Sequence, residues 1–180
     1  KDDTVVGGDG TDTLHLNNTD ATTLNAYALG TINTMNAKNS GIDKVDFGAT
    51  LAQSIDMGRL DGVSVVELGN LAGASGLTGL GATNEVTIRA TTGQTLNLAL
   101  ADATGTSDSL NIVLKEAAVL AANTITANGI ETININGIDD AATDAAAVNT
   151  MTLISDTATS IVVTGNDGLN LTSTGATKIT

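Results

Sequence analysis

Gly41-Ile42-Asp43-Lys44-Val45-Asp46-Phe47 is written again, with related residues, as Gly129-Ile130-Glu131-Thr132-Ile133-Asn134-Ile135. In each copy a glycine opens the phrase, an acid follows two residues later, and apolar side chains then alternate with polar ones. Alternation at a period of two is the pattern of a half-buried strand, whose successive side chains point to opposite faces. Recurrence of one short strand phrase marks a repeat architecture, in which stacked units bury a common core. Two further phrases recur in the same order. Gly10-Thr11-Asp12-Thr13-Leu14-His15-Leu16 is echoed by Gly105-Thr106-Ser107-Asp108-Ser109-Leu110-Asn111-Ile112 with one inserted residue, and Thr95-Leu96-Asn97-Leu98 by Gly168-Leu169-Asn170-Leu171.

Working outward, strand-like alternation is expected over residues 12–16, 43–47, 54–57, 63–68, 85–89, 95–100, 109–114, 124–127, 131–135, 150–154, 160–164, 169–172 and 178–180. Gly, Asn, Asp and Ser separate these bursts, a spacing shared by all-β sandwiches, barrels and β-solenoids. The echoes favour the solenoid. They divide residues 1–180 into two related modules, about 7–101 and 102–180, stacked as one continuous structure with no Pro-rich or charged linker between them. Asp20 to Lys38 and Asp139 to Val148 break the alternation and are read as short helices or excursions, with Asp20 and Asp139 acceptable as N-caps. Thr and Asn crowd the polar positions of the strands. Thr fits a pleated surface, and stacked Asn side chains can form amide ladders or simply solvate it.

Composition narrows the function. The 180 residues include 20 Asp plus Glu against 7 Lys plus Arg, a formal charge of -13, and no Cys, Pro or Trp; Tyr27 and Phe47 are the aromatic residues. Such a core must be built from aliphatic residues and Thr. A strongly acidic chain with almost no stacking platforms is unsuited to nucleic acid, and the same charge disfavours anionic membranes. The longest apolar run, Ala117 to Ala122, is far below the roughly 20 residues that span a bilayer. Without cysteine, a secreted chain needs a staple other than disulfides, and calcium suits an acidic one. Lys1-Asp2-Asp3 lacks the apolar stretch of a secretory signal, and both ends read as cuts through a longer protein.

The sharpest local signal is Gly7-Gly8-Asp9-Gly10-Thr11-Asp12-Thr13-Leu14-His15, a full match to GGxGxDxUx with U a large aliphatic residue. The glycines permit positive φ and turn carbonyls inward, the Asp supplies a hard anionic oxygen, and the aliphatic residue plugs the core. Nine residues earlier, Asp3-Thr4-Val5-Val6 matches the second half of a preceding repeat. The candidate calcium ligands are therefore Asp12 by its side chain, Gly7 and Asp9 by their carbonyls, and Asp3 from the turn before. The alternative is a Gly-rich turn that holds no metal, or holds it weakly.

Other sites are weaker. Gly165-Asn166-Asp167-Gly168 is read as a tight turn in preference to a second calcium loop. Asp43, Asp46, Asp56, Asp61, Asp102 and Asp108 are read as solubilising surface acids. His15, the one histidine, lies opposite Leu14 and Leu16 and is read as a solvated strand residue. There is no GxSxG elbow, phosphate loop or dinucleotide fingerprint. Paired carboxylates on a solenoid could cleave a glycosidic bond, but sugar clefts usually need aromatic platforms. The chain is read as a non-enzyme.

The nonapeptide at Gly7 to His15 resembles the calcium-binding RTX repeats of proteins exported by type I secretion. Val5 to Asp12, Ala103 to Asp108, Gly129 to Ile135 and Ser160 to Leu171 are similar, in the same order, to segments of the RTX-bearing S-layer proteins of Gram-negative bacteria. The resemblance implies an extracellular cell-surface protein with a right-handed parallel β-helix or β-roll. It implies calcium between turns, calcium-dependent self-assembly into a lattice, and cell-surface polysaccharide as a second partner. The chain departs from that family in carrying one complete nonapeptide instead of a tandem array. The competing reading is a receptor- or glycan-binding domain of a large RTX adhesin.

Overall fold

The computed structural model describes residues 4–48, 51–89, 94–116, 123–139 and 148–175. The chain opens with β1 (Val5–Val6) and β2 (Thr13–His15), then two helices, α1 (Asn18–Ala26) and α2 (Leu29–Lys38). Next come β3 (Asn39–Ser40), β4 (Lys44–Phe47), β5 (Ser54–Asp56), β6 (Val65–Leu68), β7 (Ser75–Leu80), β8 (Glu85–Ile88) and β9 (Thr95–Leu100). The remaining strands are β10 (Ser109–Glu116), β11 (Asn123–Thr126), β12 (Thr132–Asp139), β13 (Val148–Ile154), β14 (Ser160–Gly165) and β15 (Gly168–Thr174). The structure is mostly parallel β-sheet with few helices.

From β4 onward the chain alternates between two sheets strand by strand. The even strands β2 to β14 form one seven-stranded sheet, and the odd strands β5 to β15 a six-stranded one. Every described pair is parallel, including β1 with β3, and β10 pairs with β8 across residues 101 and 102. Parallel pairing of strands that are consecutive within a sheet requires a crossover, supplied here by the strand in the other sheet. Down the larger sheet Leu14, Val45, Val66, Val86, Ile112, Ile135 and Val163 lie in one register row. All of these belong to or pack on one contiguous apolar core, joined by Phe47, Leu68, Ile88 and Leu114 two residues further along. Burial of each such side chain contributes about 1.5–3 kcal/mol relative to exposure.

The echoed phrases stack face for face, but not residue for residue. The echo aligns Val45 with Ile133, whereas the register carries Val45 to Ile135. Leu14 likewise reaches Ile112 and not Leu110. The cause is strand length. β4, β6 and β8 have 4 residues each, whereas β10 and β12 have 8, so the later strands enter the sheet earlier. An even offset keeps apolar side chains on the core face, whereas an odd one would turn them all outward.

Two features differ from expectation. β7 has no alternation to announce it, because Gly76 and Gly79 interrupt Ser75 to Leu80. A Cβ at Gly76 would lie 2.8 Å from Ser54 Oγ and 3.2 Å from the Asn97 carbonyl, so the neighbouring strands demand glycine there. The excursion at 20–38 is two helices, and the N-cap is Asn17 in place of Asp20. Asn17 Oδ1 accepts from the Thr19 and Asp20 N–H groups, while Asp20 Oδ2 accepts from Asn17 N–H at 3.0 Å, a reciprocal capping box. Arg59 donates to the Tyr27 carbonyl at 2.9 Å, at the negative end of α1. Leu24 and Ile32 turn into the core, Leu24 facing the same cavity as Leu14 and Leu16. Asp139 ends β12 and Val148 starts β13, while residues 140–147 and the expected strand at 178–180 lie outside the described residues.

Candidate metal centre

The nonapeptide forms the turn from β1 to β2, and it stacks on the shorter turn from β3 to β4. Gly7 N–H donates to the Ser40 carbonyl at 2.9 Å, and Asp43 and Lys44 N–H groups donate to the Asp12 carbonyl at 3.1 and 3.0 Å. Gly8 and Gly10 adopt φ of 114° and 111°, a backbone that side chains other than glycine rarely tolerate. At Gly7 the constraint is space. A Cβ there would overlap the Gly41 carbonyl oxygen and lie 2.7 Å from Asp12 Oδ2, so both oxygens press on the same point beside the Gly7 Cα.

Asp12 is half-buried. Its N–H donates to Asp43 Oδ2 at 3.0 Å, and its own Oδ2 is buried without a hydrogen-bond partner. A buried carboxylate oxygen left unpaired is costly, and such an atom asks for a cation or a donor. Among the sequence candidates, the turn brings Gly7 and Asp12 together. Asp9 is exposed in the loop between them, and Asp3 lies outside the described residues. Asp43 is the residue that sequence reasoning missed, having been read as a solubilising acid. The signal was present, since Gly10-x-Asp12-x-Leu14 recurs as Gly41-x-Asp43-x-Val45, and these two phrases are direct neighbours in the sheet.

The donor set is hard oxygen throughout, which fits calcium. Asp12 Oδ2 is the anionic donor, and the Gly41 carbonyl lies against the same space. Among the described residues no three acidic or imidazole groups converge on one point, so a six- to eight-fold shell needs backbone carbonyls and water besides. A second turn repeats the scaffold without the loose oxygen. Asp108 N–H donates to Glu131 Oε2 at 2.9 Å, and Gly105 N–H to Asp108 Oδ2 at 3.1 Å. At Gly165 to Gly168 the tight turn is fully satisfied. Asp167 takes the Gly168 N–H on one carboxylate oxygen and the buried Asn149 amide on the other.

Three charge pairs lie on the outer face of the larger sheet. Exposed His15 lies 2.9 Å from Asp46, and Glu67 sits 2.9 Å from Lys44 and 3.5 Å from Arg89. An open groove of about 360 Å³ runs past Asp46, Gly48, Glu67, Gly69, Asn70 and Arg89. At Asp102, hydrogen bonds from the Thr104 hydroxyl and then its N–H hold the carboxyl below its usual range. No helix among the described residues is long and apolar enough to cross a membrane. No protein-family model matches the chain, and no curated protein matches it.

Proposed function

We propose that this chain is a structural module of a bacterial surface layer, an RTX-type S-layer segment whose self-assembly in the extracellular lattice depends on calcium. In this reading the two parallel sheets are faces of one right-handed β-solenoid, and the Gly7–Asp12 turn is its β-roll-like calcium loop. The observation that carries it is Asp12 Oδ2, buried and unpaired inside the glycine turn whose sequence is the RTX nonapeptide. Asp12 supplies negative charge, the Gly41 carbonyl a second oxygen, and Asp43 fixes the Asp12 backbone by accepting its N–H. Calcium bound there stabilises the folded form by mass action and relieves repulsion between neighbouring carboxylates. Extracellular calcium modules bind at about 10⁻⁴–10⁻³ M, a range in which environmental calcium can control assembly. Export by type I secretion and contact with cell-surface polysaccharide belong to the same reading.

Small-angle scattering across a calcium titration tests it. A compact globule of this length has a radius of gyration of about 16 Å. The reading requires a larger, rod-like particle that grows into assemblies as calcium rises; a compact monomer indifferent to calcium would overturn it. The groove beside Glu67 and Arg89 favours a second reading, the glycan-binding domain of an RTX adhesin, since carboxylate, amide and guanidinium groups suit sugar hydroxyls. Glycan binding by the isolated monomer would select that reading.

A further inference from the structure

The outer face of the six-stranded sheet is rich in Thr from β9 to β15. Thr95, Thr124, Thr152 and Thr172 lie in one register row across β9, β11, β13 and β15. Asn97, Thr126, Ile154 and Thr174 form the next row on the same side. None of these four strands contains a charged residue, in a chain of net charge -13. The charges stand at the strand ends instead, at Asp102, Asp156 and Asp167. Val148 and Ile154 are 49% and 39% exposed on this face. On the other sheet two of the outward positions, Thr87 and Val113, are 4% and 5% exposed.

We propose that this Thr-rich face is where a second copy of the chain docks, sheet against sheet. The proposal rests on the surface-layer reading and names its contact. Two copies of so acidic a protein repel each other across most approaches, and the face of β9 to β15 is an extended sheet surface on which they can meet without opposing charges. Threonine methyls and the two exposed aliphatic residues supply apolar contact, and hydroxyls left at the seam can bond one another or water. Three strand spacings and the length of β13 give a face of roughly 14 by 23 Å. Two such faces bury well under the 1,200 Å² or more of a stable complex. The pairwise contact is therefore weak, and it becomes effective where many copies are held together, as in a lattice.

Sedimentation of the whole chain over a wide concentration range, in calcium and in chelator, tests this. Thr152→Asp and Thr172→Asp weaken self-association at least tenfold, because each buries an unpaired charge at the seam. Thr152→Lys does the same, and mixing the Thr152→Asp and Thr152→Lys chains restores association. Asn134→Asp, on the outer face of the other sheet, leaves it unchanged, and circular dichroism shows all four folded. If the wild-type chain associates and the Thr152 variants match it, the face is wrong while the surface-layer reading stands. If the wild-type chain stays monomeric in calcium at every concentration, the surface-layer reading falls and this contact with it.

Discussion

Replacing Asp12 with Asn stabilises the protein in chelator and abolishes the gain in stability that calcium gives wild type. Without calcium, wild type carries a buried carboxylate oxygen with no partner, next to Asp43. An unsatisfied buried group costs about 1–3 kcal/mol, more when charged. The neutral amide removes the charge and keeps the shape, so in chelator Asp12→Asn is the more stable protein. With about 10 mM calcium and a dissociation constant of 10⁻⁴–10⁻³ M, binding adds about 1.4–2.7 kcal/mol to wild type alone. At about 2–4 °C of melting temperature per kcal/mol for a chain of this size, wild type rises by roughly 3–11 °C. Thermal unfolding followed by circular dichroism in both conditions reads the ranking in chelator and the calcium response of each protein. An equal calcium response in the two proteins would refute the site, and a wild type already more stable in chelator would refute the claim that Asp12 Oδ2 is an uncompensated charge.

Three further outcomes follow from the packing and the caps. Phe47→Ala, at a residue only 1% exposed, lowers unfolding free energy by about 3–5 kcal/mol in urea titrations, with the calcium response retained if the folded form persists. Asn17→Ala removes the acceptor for two N–H groups of α1 and costs about 1 kcal/mol, and hydrogen exchange localises the loss to α1. Asp102 titrates below an ordinary Asp, so its small contribution is present above the usual carboxylate range and is lost as pH falls through the folded value; Thr104→Val, read by carbon NMR titration, moves it back up.

The strands were legible because Val, Ile and Leu alternate with Thr, Asn and Asp, as in Thr132 to Ile135. β7 was not, since Gly76 and Gly79 serve neighbouring strands and leave no period of their own. The α1 cap was mislocated at Asp20 because that acid serves as the reciprocal partner of Asn17. Repetition signalled stacking and face, yet the two-residue offset between the phrase of Gly41 and that of Gly129 is set by strand length, which local phrases do not encode. Within the candidate centre, Asp12 and Gly7 were legible from the nonapeptide. Asp43 required knowing that the turn after Ser40 lies beside the turn after Val6.

The alternation of consecutive strands between two parallel ladders has a mechanical consequence. A pull on the two ends of the described region bears on the terminal strands first, β1 and β2 at one end and β14 and β15 at the other, because the strands between them, β3 and β5 apart, are flanked on both sides within their own sheet. Nearest-neighbour stacks yield in steps. Stretched in this way, the chain pays out length strand by strand, and the helical excursion between β2 and β4 releases its slack in one early step.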